Sequence, residues 1–284
     1  MRRVIVNADD FGRHVKINEA VALGAEKGFL RSATLMPGGA AFEDAVGVAR
    51  AHAALGVGVH FTLVNGNPIL PAAEIPSLVA ENGLFYEDYT LFVKRFLLGG
   101  VRLEEVRREL AAQMAKMQRT GLRFTHIDSH QHMHTLPGII GIALDIAAAA
   151  GIHAVRVPET AVFYRGGYSD GLGSLIGRAG LSTLAHLARL QARRRGFQMP
   201  EHFAGIVAGE AVTEAHMHAL LAGLTEGTME VMLHPGTENG VLQADCLWQH
   251  DFEAELAAVT SLENQQLMKE RGIEAGNFGD LIHG

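Results

Sequence analysis

The chain has 284 residues, 48% of them hydrophobic and 19% charged, and 24 Lys and Arg against 31 Asp and Glu give a net charge of −7. A chain of this size buries roughly 75% of its unfolded surface, so a large core is expected. The acidic balance argues against a general nucleic-acid footprint, and the single cysteine, Cys246, excludes a disulfide framework or a multi-cysteine zinc site.

The opening MRRVIVNADDFG has two arginines but only a short apolar run before Asn7, too little for a secretory signal, so a cytoplasmic location is expected. Short β-branched runs at 4–6, 33–36, 57–61, 123–127, 154–157, 204–207 and 230–233 read as buried strands. Helical patterns fall between most of them, at 17–27, 41–51, 103–119, 138–150 and 213–224. Strand then helix, repeated, implies a mainly parallel α/β sheet, and about seven strands at this length fit a closed, irregular TIM-like barrel better than an open sheet. The longest apolar stretch, 139–150, is broken by Asp145 and falls short of the roughly 20 residues of a membrane span. No repeat or linker divides the chain, which is read as one domain, 1–284. Two stretches look like additions to it: 62–101, with NGNPILP and an aromatic helix around 86–98, and a helical insertion at 159–200 suited to a lid or a membrane-facing element.

The composition is odd in histidine, with 15 in all and four between residues 126 and 134. Polar residues gather at the C-terminal ends of the strands, where a β/α barrel places its catalytic groups. The first strand ends in Asn7-Ala8-Asp9-Asp10, the third at His60, the fourth in Asp128-Ser129-His130-Gln131-His132-Met133-His134, the fifth near Arg156 and the seventh in His234-Pro235-Gly236. Adjacent carboxylates cannot point the same way from an extended strand, so one of Asp9 and Asp10 could bind a metal while the other turns to a water; Asp is also a common turn residue in its own right. His60 alone is more often a satisfied buried imidazole than a ligand. If a turn begins at Asp128, His130 and His134 lie one helical turn apart and can face one way, while His132 points elsewhere; a solvated His-rich turn is the plainer alternative. His234 could equally be a strand-terminal residue before a proline turn. Two histidines and a carboxylate with open water positions suit one hydrolytic divalent ion, zinc on the nitrogen ligands, with magnesium the weaker choice. Asp9 is then a candidate base and His234 a candidate acid for a departing amine.

Together VNADDFG (6–12), GVHFTL (58–63), THIDSHQHMH (125–134), VRVP (155–158) and MLHP (232–235) resemble the YdjC-type sugar deacetylases, the family that includes chitooligosaccharide deacetylase. The resemblance spans residues 6 to 235. It implies a TIM-like irregular barrel that hydrolyses the N-acetyl group of an amino sugar. It also implies that Asp10, His60 and His130 hold the metal, magnesium or zinc, that Asp9 is the base and that His234 is the acid. Arg156 could orient Asp9 or stabilise developing charge. Asp128, His132 and His134 are expected in support of the ligands or the substrate, Asp128 as partner to a ligating histidine.

The insertion resembles the hopanoid-biosynthesis-associated branch of the family, which implies an N-acetylglucosaminyl group carried on a polycyclic lipid. Leu172, Leu175, Ile176, Ala179, Leu184, Leu187 and Leu190 fall near one helical face, with Arg178, Arg189 and Arg193–Arg195 around it. Such a helix either seeks a membrane surface, here the inner face, or packs on the barrel as ordinary core. The alternatives are a deacetylase of soluble chitooligosaccharides, a phosphoesterase on the same scaffold, and a non-catalytic sugar- or lipid-binding protein. A homo-oligomer is compatible with the sequence.

Overall fold

In a computed structural model, residues 1–159, 172–205 and 211–283 are described, without the side chains of 172–181 and 283. The elements run β1 (Arg2–Phe11), α1 (Val15–Lys27), β2 (Ser32–Leu35), α2 (Phe42–Ala51), β3 (Gly56–Phe61), α3 (Tyr89–Leu97), α4 (Leu103–Arg119), β4 (Phe124–Ser129), α5 (Ile139–Ala149), α6 (Leu172–Arg194), β5 (His202–Ala204), α7 (Glu214–Gly223), β6 (Gly227–Leu233), α8 (Asn239–Cys246), α9 (Phe252–Thr260), α10 (Leu262–Arg271), β7 (Ile273–Ala275) and α11 (Asp280–His283). Short 3₁₀ segments cover Ala72–Glu74 and His130–Thr135.

The strands form one parallel sheet in the order β4-β3-β2-β1-β6-β5, with β7 also paired to β1. Every residue of β2 and β3 is buried, as expected of strands covered on both faces; the hydroxyls of SATL in β2 are buried because Ser32 and Thr34 bond the Asn7 side chain. The sheet is open, contrary to the closed barrel expected from the strand count. Segment 154–157 makes no extended ladder: Val155 bridges Ile127 and Ala154 bridges Gln198, each as an isolated pair. Pro158 and Pro200 bound the two segments and lack the N–H a longer ladder would need. The arrangement is therefore a half-barrel in which 154–157 lies against β4. The strand expected at 204–207 starts earlier, at His202, and its residues 206 and 207 lie outside the described residues.

Packing follows the helical period. On α4, Val106, Leu110, Met114 and Met117 are buried at spacings of three and four. The same helix also buries Glu105, Glu109 and Gln113, because they serve the irregular 62–101 segment. Glu109 accepts from the N–H groups of Ile69 (2.8 Å) and Leu70 (3.0 Å), Glu105 from Ser77 (2.7 Å), and Gln113 bonds both the N–H and the carbonyl of Thr62. A long non-repetitive segment can lie against the core only if its backbone polar groups find such partners. On α6, Ala185, Ala188 and Ala192 pack inward, while Leu187 and Leu190 are 49% and 38% exposed. Leu172, Leu175, Ile176, Arg178 and Ala179 of the expected face lie outside the described side chains. Among the described residues no helix is long and apolar enough to cross a membrane.

Candidate active site

The end of β1 departs from a regular strand. Its register against β2 shifts between Ala8 and Phe11, and Asp10 adopts a left-handed φ of 58°. This bulge breaks the alternation that would send neighbouring side chains to opposite faces. Asp9 and Asp10 thereby both reach His60, each supplying an oxygen to a separate cluster within which the donor atoms lie no more than 4.8 Å apart: Asp10–His60–His130 and Asp9–His60–Asp128.

Asp10 Oδ1 lies 2.8 Å from His130 Nδ1 and 3.2 Å from His60 Nε2, all three residues being buried. Yet Oδ1 lacks a partner in hydrogen-bond geometry, so the three donors crowd together without bonding one another. Donor separations near 3 Å are those of ligands about 2.0–2.1 Å from a shared ion. The other nitrogen of His60, Nδ1–H, donates to Asp128 Oδ1 at 2.7 Å, which fixes the tautomer that leaves Nε2 an acceptor.

Asp9 is held apart from this trio by Arg156, a fully buried side chain. The Nη1 and Nη2 groups of Arg156 donate to Asp9 Oδ2 and Oδ1, both at 2.6 Å; Nη1 also meets Asp128 Oδ2 at 2.8 Å and Nε donates to Glu230 Oε1. Asn7 Nδ2 adds a donor to Asp9 Oδ1 at 2.9 Å and is itself set by Ser32 and Thr34. Burial favours protonation of Asp9, but the guanidinium outweighs it and keeps the carboxyl below its usual range. Asp10 is held well below its usual range against burial by His130 and His60, and Asp128 by His60 and Arg156. Burial and the neighbouring carboxylates push Glu230 up to about 8 despite Arg156. Against burial, Asp128, Asp10 and Asp9 push His60 up to about 10, so a proton on it offsets part of this charge; with His60 neutral as a ligand, the carboxylates of Asp9, Asp10 and Asp128 against one guanidinium leave two negative charges, the complement of a divalent cation. The donor set and the charge both fit such an ion, so this His/Asp cluster could hold one.

The remaining histidines separate by environment. His134 and His130 do not face one way as the helical reading had it, because Gln131 and His132 take left-handed φ values of 50° and 60° between them. His130 turns to Asp10, whereas His134 accepts from Ser129 Oγ at 2.6 Å and donates from Nε2 to the Arg156 carbonyl at 2.9 Å, bracing that backbone. His132 lies edge-on to Phe203, its centroid 6.1 Å away, and is not among the donors gathered with Asp10. Burial lowers both, His132 to about 3 and His134 to about 4, so they are neutral at physiological pH. His126 stacks on Phe278 at 3.7 Å, its ring packed against Gly58, where a Cβ would fall 2.4 Å from it.

His234 follows β6. Its backbone N–H donates to Glu255, its ring stands edge-on to Trp248 and His250, and Glu255 Oε2 lies 3.2 Å from His250 Nε2. Burial lowers the His234 pKa, against the charges of Asp9, Asp10 and Glu255, which are near enough to act on it. Glu230, Glu255, His250 and Trp248 escaped the sequence reading. Glu230 and Glu255 had a signal, a carboxylate inside the apolar runs MEVML and FEAEL, since acids are rarely buried unless paired.

What this describes is an α/β protein with a candidate metal centre at its strand ends. The YdjC-like protein family matches residues 3–270, and the chain belongs to it. The carbohydrate deacetylase of Brevibacillus brevis is 30% identical over 279 residues, covering 98% of this chain and 99% of its own. The chitooligosaccharide deacetylase of Escherichia fergusonii is 30% identical over 285 residues, 99% of each chain. A solved structure from Enterococcus faecalis, with a proposed role in cellobiose-phosphate cleavage, superposes with a TM-score of 0.76 at 26% identity over 99% of this chain and 98% of its own.

Proposed function

We propose that the chain is a metal-dependent carbohydrate deacetylase, an enzyme that hydrolyses the N-acetyl group of an N-acetylglucosamine-type sugar. The observation that carries the reading is the convergence of Asp10, His60 and His130 beside an arginine-clamped Asp9. A divalent ion held by Asp10, His60 and His130, zinc favoured over magnesium by the two nitrogens, would supply Lewis acidity and lower the pKa of a water toward neutrality. Asp9 is the base: Arg156 keeps it ionised and aimed, and Oδ2, which meets only Nη1 among the described residues, retains a lone pair for the incoming proton. His234 is the acid in its protonated form, which the charges of Asp9, Asp10 and Glu255 favour against burial; its ring, set beside Trp248 and His250, would then give that proton to the amine nitrogen as the C–N bond breaks. Asp128 orients His60, and His134 supports Arg156.

A lipid-linked glycoside, of the hopanoid type, is the substrate best suited to the surroundings. An apolar groove of about 240 Å³ runs beside the 130–135 turn, lined by Thr135, Pro137, Ile140, Leu184, Leu187 and Leu190, with Arg194 among its walls. Peripheral contact with the inner membrane face would bring such a substrate to it. Soluble chitooligosaccharides are the second reading, favoured by the full-length match to a chitooligosaccharide deacetylase. Purified protein loaded with zinc or magnesium should release acetate from one or both substrate classes, and Asp9→Asn should retain the ion but lose turnover. Absence of acetate from both, with the ion bound, would sink the reading.

A further inference from the structure

A second set of donors gathers past the end of β6: His234, His250 and Glu255, whose ligand atoms lie within 4.8 Å of one another. His234 follows β6, His250 lies in the loop between α8 and α9, and Glu255 sits in the first turn of α9. Backbone contacts lash these segments together. The Gly236 N–H donates to the Phe252 carbonyl at 3.0 Å, and Gln243 Nε2 donates to the His250 carbonyl at 2.8 Å. A Cβ on Gly236 would fall 2.1 Å from Leu242 Cδ1 and 2.8 Å from Phe252 Cβ, so α8 and α9 close over the strand end only against a residue without a side chain. Trp248 stacks on the His250 ring at 3.9 Å and Phe252 meets it edge-on at 4.9 Å, which sets the imidazole's orientation. Glu255 is anchored through Oε1, which accepts from the Val212 N–H at 2.9 Å.

This set repeats the dimensions of the Asp10 trio. The His234 and His250 rings stand 5.6 Å apart at 81°, the His60 and His130 rings 5.7 Å apart at 68°. Glu255 Oε2 lies 3.2 Å from His250 Nε2, as Asp10 Oδ1 does from His60 Nε2. His250 is only 3% exposed, yet neither of its ring nitrogens has a hydrogen-bond partner among the described residues. An ordinary buried His–Glu pair would close that contact with a hydrogen bond, because an imidazole left without one is costly. Two imidazole nitrogens and a carboxylate oxygen are a donor set that zinc takes, with a fourth position left to water. His234 is half-buried and gives the set a way in from solvent. Nothing here plays the part of Asp128: among the described residues no carboxylate accepts from His250 Nδ1, so this set should hold an ion less tightly than the trio.

We propose that His234, His250 and Glu255 form a second zinc site, and that filling it silences the enzyme by occupying the lone pair with which His234 would carry its proton. The proposal rests on the reading of His234 as the acid and adds an inhibitory site to it. Zinc alone, added to the metal-stripped full chain in equilibrium dialysis, should bind in two steps. The weaker step should be lost in His250→Phe, which keeps a ring against Trp248. His234→Asn, at a half-buried position, should lose the same step and serves if the first variant fails to fold, whereas Asp10→Asn should lose the tighter step and keep the weaker. Trp248 is the chain's single tryptophan and stacks on His250, so its emission should change with the weaker step. Acetate release should climb through the tighter step and fall through the weaker. Relative to its own maximum, His250→Phe should need more than about tenfold more zinc for that fall, since even an outer partner of a ligand is worth about 10- to 100-fold in affinity. A single step in the wild type, a weaker step that survives both histidine variants, or release that does not fall as the second ion binds would overturn the proposal. Two steps with the expected losses but no acetate at any zinc level would instead overturn the deacetylase reading and leave the ion site standing.

Discussion

Asp128 never meets solvent, yet it decides what His60 can do. Its carboxylate accepts a hydrogen bond from Nδ1–H and so leaves Nε2 as a ligand, and it shares Arg156 with Asp9. Asp128→Asn can offer its amide N–H to Nδ1 and favour the wrong tautomer; we expect a loss of about 10- to 100-fold in metal affinity, read by competition with a fluorescent chelator. Unchanged affinity would mean that packing alone orients His60. Glu230 makes a prediction of pH. Its carboxyl sits near 8 when folded against an ordinary 4.5, so between those values the folded protein holds one more proton than the unfolded chain. Its contribution is then fully present below about pH 4.5 and lost as pH rises toward 8, by about 1.4 kcal/mol per unit at most. Glu230→Gln should remove that slope, so the melting temperature of the metal-stripped variant should gain on wild type between about pH 5 and 8. A constant gap would place an ionised Glu230 in the folded state.

At the scale of elements, the turn after β4 carries the strain that aims His130. Gln131 is exposed and left-handed, a conformation that glycine adopts freely and β-branched residues resist. Gln131→Gly should keep activity at a stability within about 1 kcal/mol of wild type, whereas Gln131→Val should cost about 1–3 kcal/mol and turn His130 away; thermal melts with acetate release distinguish them. The same turn marks where sequence reasoning runs out. Buried parallel strands such as 57–61 are legible because β-branched runs between helical patterns have few other meanings, and the gathering of Asp9, Asp10, His60, His130 and Arg156 at strand ends follows from that topology. Which way His134 faces depends on two φ angles that no periodicity encodes. The bulge that brings Asp9 and Asp10 together is equally silent, and so is β7, whose three residues pair with β1 from the far end of the chain. The support around His234 was missed because Trp248 and His250 belong to the loop after α8 and Glu255 to α9, not to a strand end.

For the whole molecule, an apolar groove lies between α5 and α6, beside the end of the turn that carries His130. If the groove receives a lipid, the double change Leu187→Ser, Leu190→Ser should lower turnover of a lipid-linked glycoside relative to a soluble sugar by about tenfold, given about 1.5–3 kcal/mol per buried leucine offset by their present exposure. Equal effects on both substrates would return α6 to a packing role.

The shared edge of β1 has a consequence for how the protein is made. Asn7 to Phe11 pair with β2, but Arg2 to Val4 pair with Ile273 to Ala275. During synthesis β1 is made well before β7, so its opening residues wait for partners that lie about 270 residues further along the chain. Until then a bare strand edge is offered to any neighbouring chain, the kind of template on which chains aggregate. A chain cut short between α10 and β7 would therefore be not a slightly shortened enzyme but a sticky one, with every candidate site residue present and its floor unlatched.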